Sequence, residues 1–306
     1  MKYRFIFYSL WTCLFIGLGW AVNRQEAAHF LAHLSLWYEP VMAGIVCGLL
    51  SGLLGLYMIW NRIVFVSLAI AQGAGFGIFL SFFIAGFWGI SLEHSPISFL
   101  SGLVMALVTT FLFVSFRQTK KYSDEVVIGL VYVISSGLIV LMGDRIAEGK
   151  HAIDNLLFGN AVAVTPESLK LLSVMTAAIF AIHFLFRREF LYTSADTECM
   201  QVIGVKTKRW LGLLYLTLTL GITLSMKTLG SLPIFALMVI PPFISLKKAK
   251  NPREAVVISI LLGGIIPPLG YYYSYLFSFP RGATIIGVGL LMTGISFLEK
   301  PVAGNR

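Results

Sequence analysis

The sequence predicts an all-α polytopic membrane protein of about ten transmembrane helices, and three observations carry that prediction. The 306 residues are 58% hydrophobic and only 12% charged, with a mean hydropathy of +0.85. The apolar residues come in repeated runs of about 20, the length a helix needs to cross a hydrocarbon core of about 30 Å. The basic residues sit in short clusters between those runs, as expected of chains orienting in a bilayer. The net charge of +9 is thereby accounted for, and nucleic acid is not expected as a partner. Cys13, Cys47 and Cys199 are scattered without CxxC or metal-site spacing and read as small apolar residues.

The expected spans are 4–21, 40–60, 63–87, 96–116, 125–143, 168–186, 210–226, 229–246, 254–276 and 282–298. With the N-terminus inside, only Arg24, Arg145, Lys150, Lys170, Lys227 and Arg281 of the 23 Lys and Arg fall outside, so both termini are predicted to be cytoplasmic. Lys2 and Arg4 precede the first span as they would precede a signal peptide. No clear small-x-small cleavage site follows, so the span is expected to stay as a membrane anchor.

After it, Glu26, His29 and His33 have helical spacing (i, i+3, i+7) that would place them on one face, either as a metal-binding trio or as the wetted side of an interfacial helix. The second span carries Gly44, Gly48, Gly52 and Gly55, then breaks at Trp60-Asn61-Arg62. The third carries Ser67, Gln72, Ser81 and the glycines 73, 75 and 77. Small residues allow close backbone approach, and a buried amide needs a partner or water. Gln72 therefore either joins helices or faces an aqueous path.

Residues 144–167 form a long outer segment. Thr165, Pro166 and Ser168 read as a helix start there, and 153–158 as a short amphipathic or re-entrant piece. On the inside, residues 187–209 suit a short helix capped by Ser194 or Asp196 and ended by Gly204, which is either a docking element for a soluble partner or a solvated turn. Pro241-Pro242 closes the eighth span, and Gly263-Gly264 with Pro267-Pro268 interrupts the ninth. Such breaks occur where neighbours or a water-lined cavity satisfy the freed carbonyls, and they are common in transporters. The chain has no GxxxxGK[ST], HExxH, GxSxG or helix-opening GxGxxG, and no Asp or Glu well inside a span. It is read as neither an enzyme nor the holder of a cofactor.

Four pieces in order carry a resemblance. They are Gly44-x3-Gly48-Leu-Leu-Ser-Gly52-Leu-Leu-Gly55 with the Arg62 turn; Asp124-Glu-Val-Val-Ile-Gly129; Leu156-Leu-Phe-Gly159; and Asp196-x7-Gly204-Val followed by Leu229-Gly230-x5-Ala236-Leu-x-Val-Ile-Pro241. Together they resemble the membrane permease subunit of bacterial ABC importers of the zinc/manganese/iron type. The likeness covers about 41–290 of a single permease domain, 1–306, with 4–21 as an extra N-terminal span.

It implies an ATP-driven importer permease in the bacterial plasma (inner) membrane, for a divalent metal ion or metal chelate. Such a subunit forms the path as a homodimer or with a paralogous permease, beside a cytoplasmic ATPase and an extracytoplasmic solute-binding protein. Ser67, Leu68 and Gln72 would line the path; Asp196, Met200, Val202 and Gly204 would couple to the ATPase. One departure bears on substrate. Where the family carries an Asp and, four residues on, a His, this chain has Leu68 and Gln72. Leu cannot ligate, and an amide oxygen is a weak, hard ligand for Zn2+ or Mn2+. A channel-like or scaffold protein that has lost metal transport is the competing expectation.

Overall fold

The computed structural model describes residues 2–87, 96–119, 123–146, 149–159, 164–195, 200, 202 and 206–298. In chain order the helices are α1 (Lys2–Val22), α2 (Arg24–Ala32), α3 (Tyr38–Trp60), α4 (Val66–Phe87), α5 (Pro96–Thr119), α6 (Asp124–Gly143) and α7 (Gly149–Phe158). They continue as α8 (Pro166–Leu185), α9 (Arg187–Ala195), α10 (Thr207–Leu229), α11 (Ser231–Lys248), α12 (Pro252–Phe277) and α13 (Arg281–Leu298). Each of the ten expected spans is a helix. Among the described residues eight are long and apolar enough to cross a membrane, while Trp11–Val22 and Arg281–Phe297 are shorter apolar stretches. The protein is a multi-pass helical membrane protein.

The chain divides into two compact units. In the first (residues 1–56, 160–177 and 236–306), α3 packs antiparallel on α12 through residues spaced by about four on both helices. Gly44 meets Pro267 and Tyr271, Gly48 meets Gly263, and Gly52 meets Ser259, whose hydroxyl donates to the Gly52 carbonyl at 2.6 Å. Gly55 meets Met238 of α11.

Two of these contacts explain the prolines. A proline has no N–H for the carbonyl four residues back and its ring crowds that carbonyl. Pro267 thus frees the carbonyl of Gly263, and Pro242 that of Met238. Each freed oxygen lies where a glycine of α3 would otherwise carry Cβ, Gly48 in one case and Gly55 in the other. The expectation that Gly263 to Pro268 interrupts its span is therefore corrected. α12 runs unbroken from Pro252 to Phe277, because the displaced carbonyl has an open glycine opposite it.

The ends of these helices are fixed locally. Asn251 accepts from the Glu254 N–H at 2.9 Å, with Pro252 at the first helical position. Thr165 and Ser168 cap each other reciprocally at the start of α8, as the sequence suggested. α1 is an integral part of this unit. The hydroxyls of Tyr273 and Tyr272 donate to the Phe15 and Ile16 carbonyls at 2.7 and 3.3 Å, and Ala27 and Phe30 of α2 close a small core with Tyr272 and Leu276.

In the second unit (residues 57–159 and 178–235), α4 is packed by α5, α6 and α10. Its alternate glycines serve two faces. Gly73 and Gly77 sit against Thr109 and Ser101 of α5, while Gly75 sits against Ile139 of α6 and Leu156 of α7. The Asn61-Arg62 turn ends α3 with two bonds, Arg62 N–H to Ile59 O and Ile63 N–H to Met58 O, both 3.0 Å. This is the Schellman pattern, with arginine at φ 57° in the position usually given to glycine.

Candidate translocation path and coupling face

Ser67 and Gln72 lie on the buried side of α4, 2% and 4% exposed, and Leu68 one turn before Gln72 is half-buried. The Ser67 hydroxyl donates to the Val64 carbonyl at 3.0 Å. None of the three side chains is fully exposed on the unit's surface. The span thus presents a neutral amide and an alkyl chain four residues apart.

The sequence reading missed the hydroxyls around α4. Thr109 and Thr110 of α5 and Thr217, Thr219, Thr223 and Ser225 of α10 are all buried. Thr110 and Thr219 share a hydrogen bond of 2.7 Å between the two helices, and Thr109 lies against Gly73. Thr223 and Ser225 have no hydrogen-bond partner among the described atoms. The signal was present in Thr217-Leu-Thr-Leu-Gly-Ile-Thr-Leu-Ser225, a span with a hydroxyl at every second to fourth position.

Residues 187–209 correct one expectation. Ser194 does not open a helix; it lies near the end of α9, which begins at Arg187. Its hydroxyl accepts from the Asn61 amide at 2.8 Å, tying α9 to the turn after α3. α9 precedes the stretch where the short helix is expected, and Phe190, fully buried, anchors it. That ring stacks on His183 at 4.2 Å and meets Tyr57 and Trp210 at 5.8 Å each. His183 reaches Thr217 at 3.0 Å, and since the Thr217 proton goes to the Leu214 carbonyl, His183 Nε2 is the donor. Met200 and Val202 are helical, Met200 half-buried and Val202 89% exposed. Asp196 and Gly204 lie outside the described residues.

In the same unit Arg117 pairs with Asp124 at 3.0 Å and also bonds the Tyr215 hydroxyl, joining α5, α6 and α10. At the other end of α10, two of the sequence motifs meet. Gly159 at φ 83° abuts Leu229, and Gly230 at φ 86° abuts Leu157, Phe158 and Gly159, backbone against backbone. Both the left-handed φ and the absence of a side chain are required there.

Glu26, His29 and His33 form no three-ligand cluster; among the described residues no three His, Cys, Asp or Glu are grouped to hold a metal. The two imidazoles stack with centroids 4.1 Å apart. His29 Nδ1 is bonded to the Tyr275 hydroxyl, and His33 Nδ1 to the His29 carbonyl at 3.0 Å.

Residues 34–299 match the model of the ABC 3 transport family. The chain belongs to that family. This ABC 3 protein is 27% identical over 288 residues to the uncharacterized membrane protein slr2045 of Synechocystis, covering 92% of this chain and 95% of the relative. It is 23% identical to the manganese transport system membrane protein MntC of Listeria monocytogenes, covering 90% and 94%. Its fold is similar to PsaBC from Streptococcus pneumoniae, solved in complex with Fab, with a TM-score of 0.76, 22% identity and coverage of 88% and 95%. The ABC 3 match begins at residue 34, so α1 and α2 precede it.

Proposed function

We propose that this protein is the permease subunit of an ABC importer for a divalent metal ion or metal chelate, in the plasma membrane of a bacterium. It forms the translocation path as a dimer, with both termini in the cytoplasm, a separate ATPase docked inside and a solute-binding protein outside. The family membership and the manganese system of a relative at 23% identity support the transport role. The observation that carries the path is the burial of Gln72 and Ser67 on α4 amid the hydroxyl-bearing helices α5 and α10.

In this reading the subunit performs no bond chemistry. ATP binding and hydrolysis in the partner shift it between inward- and outward-facing states, and Asp196, Met200, Val202 and Gly204 transmit the motion. The path offers amide and hydroxyl oxygens, which suit a partly hydrated or chelated cation better than a bare Zn2+ or Mn2+. Leu68 at a ligand position also favours a second reading, a channel-like or scaffold protein of this fold without metal transport.

The test is the pair of changes Leu68→Asp and Gln72→His, which restore a carboxylate and an imidazole four residues apart. Calorimetric titration with Mn2+ and Zn2+ is expected to show tighter divalent binding in the double variant than in the wild type. Unchanged binding in a folded double variant places the path elsewhere.

A further inference from the structure

We infer that His29 and His33 form a two-imidazole binding site for a borderline divalent cation such as Zn2+ or Cu2+, at the junction of α2 and α12 and separate from α4. The inference starts from ring nitrogens. A backbone carbonyl can only accept, so the His33 Nδ1 bonded to the His29 carbonyl carries the proton, and the Nε2 of His33 is a bare lone pair. His29 Nδ1 is bonded to the Tyr275 hydroxyl, and in the tautomer that donates to that oxygen, the one the site requires, its Nε2 is bare as well.

This is the arrangement that ligating histidines adopt, one nitrogen held by an oxygen of the protein and the other free for the metal. The two residues are four apart, their rings lie 4.1 Å apart and within 27° of parallel, and His29 is exposed while His33 is partly so. A tetrahedral cation with metal–nitrogen bonds of about 2.0–2.1 Å needs its two nitrogens about 3.3 Å apart with converging in-plane lone pairs, so binding turns the two rings out of their stack.

The support for the site is built rather than incidental. Tyr275, which holds His29, packs on Phe30 and Trp37 with centroids 5.3 and 5.7 Å away. The Asn23 amide oxygen accepts from the Glu26 N–H at 3.4 Å, and its amide nitrogen donates to the Leu276 carbonyl at 3.3 Å, fixing the start of α2 against α12. Two imidazoles leave the remaining coordination positions to water, which suits capture and release rather than permanent retention. Both imidazoles precede the residues matched by the family, whereas Tyr275, which holds His29, lies within them.

The full chain, purified in detergent and stripped with a chelator, is titrated with Zn2+ alone and then with Cu2+ alone, against His29→Gln, His33→Gln and the double variant. The wild type is expected to bind one equivalent more than the double variant, with a Cu2+ electron paramagnetic resonance spectrum showing coupling to two nitrogens. His33→Gln keeps a donor for the His29 carbonyl, so its loss of the equivalent reads ligation rather than unfolding. Tyr275→Phe is expected to weaken the site about 10-fold or more without removing it, and Glu26→Gln to leave it intact. Equal stoichiometry in wild type and double variant overturns the inference, as does loss of the equivalent in Glu26→Gln. Because binding is read without the ATPase, absence of transport leaves this result standing.

Discussion

Replacing Gly55 by alanine puts a methyl group directly against backbone. Its Cβ would lie 2.7 Å from the carbonyl carbon of Met238 and 2.8 Å from that residue's Cα, besides overlapping the carbonyl oxygen that Pro242 leaves without a helical partner. Ordinary van der Waals contact starts near 3.4 Å, so clearing the carbonyl carbon alone separates α3 and α11 locally by about 0.7 Å, the nearer oxygen demands more, and no flexible side chain is there to give way. Overpacking of this kind costs about 1–3 kcal/mol. At about 2–4 °C per kcal/mol for domains somewhat smaller than this one, the melting temperature is expected to fall by several degrees. The assay is thermal unfolding of the purified chain in one detergent, with Gly287→Ala as control, since a Cβ at Gly287 meets nothing within 4 Å and the helix gains propensity. If Gly55→Ala melts at or above the wild type, the freed carbonyl does not rest on α3 and the packing argument fails.

Two further substitutions probe backbone conformations. Arg62→Gly relieves a left-handed arginine, and is expected to stabilise the turn after α3 by about 1 kcal/mol in the same unfolding assay; a destabilised variant would mean that the arginine side chain contributes more than its φ costs. Gly230→Ala combines φ 86° with a methyl group 2.6 Å from the Phe158 carbonyl carbon, so a loss of more than about 2 kcal/mol is expected, and an unchanged melting point would contradict the crossing of α7 with the α10 end.

Run length and polarity made the helices legible. Each of the ten apolar stretches became a helix, since a span must satisfy its backbone internally and only a helix does so within one segment. Pairing was not legible. Gly48 and Gly263 are 215 residues apart, and nothing in either local pattern says that the carbonyl freed by Pro267 needs the space a glycine leaves. The meeting of Gly159 with Gly230 was hidden for the same reason, although both lie in motifs that the resemblance had singled out. Ser194 misled because serine is a good helix cap when read locally, whereas the burial of Phe190 among His183, Tyr57 and Trp210 starts α9 at Arg187 and leaves Ser194 to meet Asn61. The burial of Ser67 and Gln72 matched their polarity on an apolar span. The hydroxyls of α10 were overlooked because single threonines in an apolar run are usually satisfied by their own helix, as Thr217 and Thr219 partly are.

The most direct measurement of the central claim is ATP-driven metal movement in proteoliposomes containing this chain and its partner ATPase, with Mn2+ and Zn2+ counted inside the vesicles while ATP hydrolysis is followed in parallel. The account predicts ATP-dependent movement by the wild type. It also predicts that Met200→Asp and Gly204→Val lower transport well below the remaining hydrolysis while the membrane domain stays folded. Hydrolysis with no metal movement in the wild type, or full transport in both variants, would contradict it.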